Sequence, residues 1–209
     1  MGSIVTLIAA GIFIYLGFKL FSSRAARASR ERLIDTYPFP PAIKDKVRQA
    51  YPHLTDAQAD KVMDGLREYF QLCNIAGKRM VAMPSQAVDT AWHEFILFTR
   101  KYQYFCEKAL GKFLHHTPAE AMRTPTQAQQ GIKTAWKISC FREKLSPSSP
   151  QRLPLLFAMD TELAIADGFH YTVNCQKTGE GYCASHIGCG SGCGGCSGGD
   201  GCGSGCGGD

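Results

Sequence analysis

A carboxylate and an imidazole lie one helical turn apart in the middle of the chain, and they are its strongest candidates for chemistry. Ser85 follows a proline and can cap a helix that begins at Gln86, which places Asp89 and His93 on one face. An aspartate there can be a second ligand beside a metal-bound histidine, or it can hydrogen-bond the ring and fix its tautomer. The alternative is a polar pair on a partly buried helix, which occurs freely at this spacing.

A zinc site needs about three or four protein ligands, so Asp89 and His93 need further partners. Cys106 is one candidate, but in a single unbroken helix it would lie roughly 20 Å along the axis from His93. These two side chains can meet only if the helix breaks between them. The other candidates are His115 and His116, which follow in a short loop.

Local signals place the helix ends that would bring these residues together. A break near Phe98 would let Thr99 cap a second helix that runs to Leu110. Gly111 is typical of the residue that ends a helix in the left-handed conformation. A further helix is expected to start at Thr117, which has the sequence of a capping box.

Several residues of this stretch together resemble a known family. The pattern consists of Val88, Asp89, Trp92, His93, Tyr102, Phe105, Cys106, Gly111, His115 and His116. Over roughly residues 50–120 the chain resembles the glycine-rich domain protein-like family of bacteria and plants. The resemblance implies a shared fold and gives Asp89 and His93 more weight as a functional or metal site. That family commonly has a second histidine two residues after the first, where this chain has Phe95, so a two-histidine site of that kind does not carry over.

The sequence of the domain predicts helices along most of its length. A capping box at Thr55 opens a helix whose apolar stripe ends at Gly77. Residues 169–173 are the only plausible strand. The predicted fold class is therefore all-α, with an N-terminal transmembrane helix, a compact helical domain over residues 42–178, and a disordered Gly/Cys-rich tail over residues 179–209.

Residues 1–21 are predicted to anchor the chain in a membrane. The apolar stretch from Ile4 to Phe21 spans about 27 Å as a helix, close to the ~30 Å hydrocarbon core. A basic juxtamembrane segment and linker, residues 22–41, follows it. Because nearby positive charge stays in the cytoplasm, we expect a single-pass protein of the bacterial cytoplasmic membrane, with its N-terminus outside and its domain in the cytoplasm. A cleaved signal peptide is the alternative, but the first residues carry no positive charge.

The distribution of charge argues against nucleic acid as a partner. The chain has a net charge of +5, of which residues 19–32 supply +4. The rest of the chain is nearly neutral and has no broad basic face. The membrane is therefore the predicted partner, and a protein partner is a further candidate.

The tail has the composition of a flexible metal-binding segment. From Gly179 onward, 14 of 31 residues are glycine and six are cysteine, too few apolar groups to offset the entropy of ordering. Closely spaced thiolates can bind zinc or another soft metal. The candidate ligands are Cys183, His186, Cys189, Cys193, Cys196, Cys202 and Cys206. The alternative is a solvated appendage.

Two hypotheses for function follow. The first is a membrane-anchored helical domain of binding or scaffold type with a metal-binding tail. The second is an enzyme in which Asp89 and His93 hold a metal that activates water, or in which His93 is a general base. The sequence shows no convincing nucleophile, phosphate-binding loop or pair of carboxylates.

Overall fold

The structure, a computed structural model, describes residues 2–116, 125–173, 182, 183 and 187. Its elements in chain order are α1 (Gly2–Thr36), α2 (Pro41–Ala50), α3 (Asp56–Ala76), α4 (Gln86–Leu97), α5 (Thr99–Phe105), a π-helix (Cys106–Leu110), α6 (Pro125–Arg142), α7 (Leu155–Glu162), β1 (Tyr171–Thr172) and β2 (Tyr182–Cys183). The two strands pair in parallel and are two residues long each. Helices dominate the described part of the chain, which confirms the all-α class.

Helix α3 lies at the centre and packs against α1, α2, α4, α6, α7 and the π-helix. Its first turn has the predicted capping box: the Thr55 hydroxyl accepts from the Gln58 N–H, and the Gln58 side chain accepts from the Thr55 N–H at 2.9 Å. The helix ends before Gly77, whose φ of +62° favours glycine. Local sequence therefore sets both ends of the central helix.

The second half of α1 is part of the domain. Ile34 is fully buried in the core, and Tyr37 is almost completely buried. Arg67 of α3 donates to the Ile34 carbonyl at 2.9 Å. The core therefore includes residues of the segment predicted as a linker, residues 22–41, because a narrow apolar face lies among its arginines.

The first half of α1 exposes large apolar side chains on all sides. They are Ile12, Phe13, Ile14, Tyr15, Leu16, Phe18 and Phe21. The side chains of residues 1–9 and 20, which belong to the predicted anchor, lie outside the described set. Among the residues that the structure describes, no helix combines the length and the apolar character needed to cross a membrane.

An aromatic cluster fills the space between α1, α3, α4 and α5. Phe70 of α3 contacts Phe95 of α4 and Phe105 of α5, with ring centroids 6.1 Å and 4.7 Å apart. Tyr37 and Phe39, which follow α1, close the same cluster from the other side. These edge-to-face and tilted ring contacts fix α4 and α5 relative to α3.

The C-terminal part of the described chain packs on α3 through α6 and α7. Trp136 and Cys140 of α6 are fully buried. Strand β1 lies within the predicted strand at residues 169–173. Its partner β2 includes Cys183, which the sequence had placed in a disordered tail, so backbone pairing extends beyond residue 179. The other tail candidates and the helix start predicted at residues 117–120 lie outside the described residues.

Candidate metal centre

Helix α4, which carries Asp89 and His93, is fixed at its first turn. The Ser85 hydroxyl accepts from the Val88 N–H at 3.2 Å, which confirms the predicted cap. A buried carboxylate from α7, Asp160, accepts from the Ser85 hydroxyl at 2.6 Å and from two free N–H groups of the same turn. The free N–H groups at the start of α4 are thus bonded by Ser85 and by Asp160.

The helix breaks between α4 and α5, at the place where a break was required for His93 and Cys106 to meet. Phe98 has φ −79° and ψ 56°, outside the helical region, and α5 starts directly after it. Thr99 is the first helical residue and not the cap, since the N-cap position is occupied by Phe98 without a side-chain bond. After the π-helix, the following loop returns to α4 at His116.

Gly111 ends the π-helix in the left-handed conformation, with φ 68° and ψ 13°. This is the predicted helix ending. A Cβ at this position would also meet the guanidinium of Arg30 on α1, the flexible end of a side chain that would have to move. The left-handed backbone of Gly111 therefore sets the start of the loop that carries the histidines.

The loop after Gly111 is held by two side chains. Tyr102 of α5 donates from its hydroxyl to the Leu114 carbonyl at 2.5 Å and accepts from the Trp92 indole N–H at 3.1 Å. The Lys112 ammonium donates to the Gly77 carbonyl at the end of α3. These bonds fix the backbone just before His116.

Three metal-binding side chains converge where this loop meets α4. The Nε2 atoms of His93 and His116 are 2.8 Å apart. His116 Nε2 lies 3.1 Å from Asp89 Oδ1, and His93 Nε2 lies 3.5 Å from Asp89 Oδ2. The group of ligand atoms lies within 4.8 Å of one another. The spacing of four residues on α4 brings Asp89 and His93 together. The loop after the π-helix then brings His116 to them.

Hydrogen bonds alone account poorly for these contacts. A neutral imidazole nitrogen carries either one hydrogen or one lone pair, and His116 Nε2 faces both His93 and Asp89. One shared N–H would be poorly aligned with each acceptor. A cation at the centre is satisfied by all three lone pairs at once. The three side chains are therefore close enough together to contact one cation.

The spacing suits a first-row transition metal. With metal–nitrogen distances of about 2.0–2.1 Å, ligand atoms of a tetrahedral zinc site lie about 3.3 Å apart. His116 Nε2 lies 3.1 Å from Asp89 Oδ1 and His93 Nε2 lies 3.5 Å from Asp89 Oδ2, both near this value but on different oxygens of the carboxylate. The two imidazole nitrogens are closer, at 2.8 Å. The part of the chain that the structure describes supplies two imidazoles and one carboxylate, which would leave at least one coordination position for water or a substrate.

The cluster is open on one side only. The side chains of Asp89 and His116 are 18% and 16% exposed, whereas that of His93 is 53% exposed. The ring of Trp92 packs against His116 with centroids 4.7 Å apart and closes the inner side. An open coordination position would therefore face solvent beside His93.

A family model described as UCP032817-like matches residues 29–190, about three quarters of the chain. The chain belongs to the UCP032817-like family. The matched range contains all three residues of the cluster and begins within α1, before Ile34. It does not bear on the glycine-rich domain protein-like family, so that resemblance stays a prediction. No curated protein and no solved structure matches the chain.

In this member of the UCP032817-like family the structure selects among the predicted ligands. His116 joins Asp89 and His93, whereas the neighbouring His115 is exposed and packs on Phe113 with ring centroids 4.8 Å apart. Cys106 is fully buried, and this burial raises the pKa of its thiol. Cys106 is not one of the side chains that converge with Asp89 and His93.

Two residues that support the site carried no clear signal in the sequence. Asp160 is 74 residues from Gln86, whose N–H it accepts at 2.7 Å, so no local pattern relates them. Tyr102 forms part of the family resemblance, but its spacing does not reveal that it bonds to the histidine loop. Only the tertiary structure shows either role.

Proposed function

We propose that the chain binds a divalent transition metal, with zinc as the first candidate, through Asp89, His93 and His116. The convergence of two imidazole nitrogens and a carboxylate, with separations of 2.8–3.5 Å, carries the proposal. These ligand types are ones that zinc accepts in proteins. Iron(II) is the second candidate, since two histidines and one carboxylate with open positions also suit non-haem iron.

The open position favours chemistry at the metal over a purely structural role. Structural zinc sites are closed by four protein ligands, whereas catalytic sites keep three ligands and a water. A bound zinc lowers the pKa of its water to about 7 and so supplies a nucleophile at neutral pH. We therefore propose metal-assisted hydrolysis as the reaction class, in place of catalysis by His93 alone.

The test is zinc binding by the full chain with its six tail cysteines, Cys183 onward, replaced by serine. This replacement removes thiols that would bind zinc independently. We expect about one zinc per chain by elemental analysis and titration calorimetry. Each of Asp89→Asn, His93→Gln and His116→Gln should weaken binding by more than the ten- to hundredfold typical of a lost outer-sphere partner.

The neighbouring histidine provides a matched control. His115→Gln removes an exposed imidazole beside the cluster and should leave the zinc affinity unchanged. Equal losses in His115→Gln and His116→Gln would contradict the assigned ligands. No zinc or iron(II) bound by the tail-serine chain would end the metal proposal and leave a proton-sharing Asp–His–His cluster.

The tail is proposed as a separate site for a soft metal, on its sequence alone. Comparing the parent chain with the tail-serine chain measures it directly. Additional zinc in the parent chain would support the tail site, and equal zinc in both would count against it.

We also propose that the first half of α1 attaches the chain to the bacterial cytoplasmic membrane. Its exposed apolar residues between Ile12 and Phe21 surround the helix, which is typical of a segment covered by lipid. Fractionation of cells that express the chain, with and without residues 1–21, tests the attachment. Recovery of the full chain in the supernatant after ultracentrifugation would contradict it.

A further inference from the structure

We propose that Tyr102 is the positioning residue of the metal centre, because its hydroxyl joins α4 to the loop that carries His116. This inference rests on the proposed metal site. Tyr102 contacts none of the three ligands in the described hydrogen bonds and ring contacts. It acts through the backbone of the loop and through Trp92, which precedes His93 in α4.

The two hydrogen bonds of the Tyr102 hydroxyl connect Trp92 on α4 with Leu114 in the histidine loop. Trp92 Nε1 donates to Tyr102 Oη at 3.1 Å, and Tyr102 Oη donates to the Leu114 carbonyl at 2.5 Å. Leu114 lies two residues before His116, at most about 7 Å of extended chain. A displacement of the Leu114 carbonyl would therefore shift the His116 imidazole away from His93.

The hydroxyl is well suited to this bridge. Tyr102 is 1% exposed, and the burial raises the pKa of its phenol, so the hydroxyl stays neutral and keeps its hydrogen. A neutral phenol donates once and accepts once in the same contact. Phenylalanine at this position would leave both the indole N–H and the Leu114 carbonyl without their partner.

The surrounding structure fixes Tyr102 itself. Its ring packs against Phe95 of α4 and Phe113 of the loop, with centroids 5.3 Å and 5.5 Å apart. The π-helix directly after α5 leads the chain from Tyr102 to Gly111, and such turns are frequent at functional sites. Phenylalanine would keep the ring contacts and remove only the hydroxyl.

The experiment compares Tyr102→Phe with Tyr69→Phe in the tail-serine chain. Tyr69 is also buried, and its hydroxyl donates to the Val81 carbonyl at 3.2 Å and not to the histidine loop. Its ring packs on Trp92 with centroids 5.0 Å apart, a contact that phenylalanine keeps. Both variants lose a buried hydroxyl bond, and both should melt at a lower temperature. Only Tyr102→Phe should bind zinc about tenfold more weakly, the lower end of the range for outer-sphere partners.

A second measurement separates positioning from a general loss of stability. In a His116→Gln background, Tyr102→Phe should weaken zinc binding no further, because the two changes act on one ligand. The visible spectrum of the cobalt(II)-loaded protein should change in Tyr102→Phe and stay that of the parent in Tyr69→Phe.

Three outcomes would overturn the inference. They are an unchanged zinc affinity in Tyr102→Phe, an equal loss in both phenylalanine variants, or an additive loss in the His116→Gln background. A parent that binds no zinc is a distinct result, since it contradicts the proposed metal site before Tyr102 is tested.

Discussion

Asp160, which binds the first turn of α4, and Asp89, which lies on α4, are two carboxylates with different surroundings. Asp160 is 1% exposed and accepts from four protein donors, the Ser85 hydroxyl and three backbone N–H groups. Asp89 has a side chain that is 18% exposed and faces two imidazole nitrogens that also face each other. Protein donors alone surround the first carboxylate, whereas the second is a ligand in the metal site that we propose.

Under the proposed function, this difference separates a structural charge, Asp160, from a functional one, Asp89. A buried carboxylate with a complete set of donors fixes the residues that donate to it. A carboxylate beside two lone-pair-bearing nitrogens gains most when an ion binds. The two carboxylates should therefore respond in opposite ways to mutation and to zinc.

The largest expected effect is on stability, from Asp160→Asn. The amide keeps one acceptor oxygen but turns an N–H₂ group toward backbone N–H groups that the carboxylate accepts. We expect a loss of roughly 3 kcal/mol in the free energy of unfolding, measured by urea denaturation without zinc. The gain in stability on adding zinc should remain in this variant.

If Asp160→Asn lowered the free energy of unfolding only as much as a surface substitution does, Asp160 would not differ from an ordinary exposed carboxylate. This result would show that the four donors are satisfied in another way and that Asp160 does not fix α4. Asp167→Asn, in the nearby turn, is a suitable control because Asp167 is exposed.

The fold of α4 and its surroundings follows largely from local sequence. The cap at Ser85, the break at Phe98 and the ending at Gly111 each depend on one or two residues and their backbone preferences. The Asp89–His93 pair depends on helical spacing. These features were predictable because neighbouring residues determine them.

The rest of the site depends on contacts between distant parts of the chain. Spacing alone left His115 and His116 as equal candidates, since the direction of a loop residue is set by Tyr102 and Lys112. Asp160 reaches α4 from α7, and no periodicity relates the two. The choice of the third ligand is therefore a tertiary effect.

The second largest effect should be the loss of stabilisation by zinc in Asp89→Asn. A ligand at a hundred times its dissociation constant stabilises the folded state by about 2.7 kcal/mol. We expect this gain in the tail-serine parent and almost none in Asp89→Asn under the same free zinc. Urea denaturation with and without zinc measures both. A full gain in Asp89→Asn would mean that the zinc binds elsewhere.

The smallest effect should come from Ser85→Ala. Ser85 accepts from the Val88 N–H and donates to Asp160, but it does not contact the metal cluster in the described contacts. Loss of a serine cap costs about 1 kcal/mol, and the freed Asp160 oxygen keeps its bond from the Ala87 N–H. Urea denaturation should show this loss, while calorimetry should show an unchanged zinc affinity. A weaker zinc affinity in Ser85→Ala would mean that the structural carboxylate and the metal centre are coupled through the first turn of α4, and that the two roles cannot be separated by mutation.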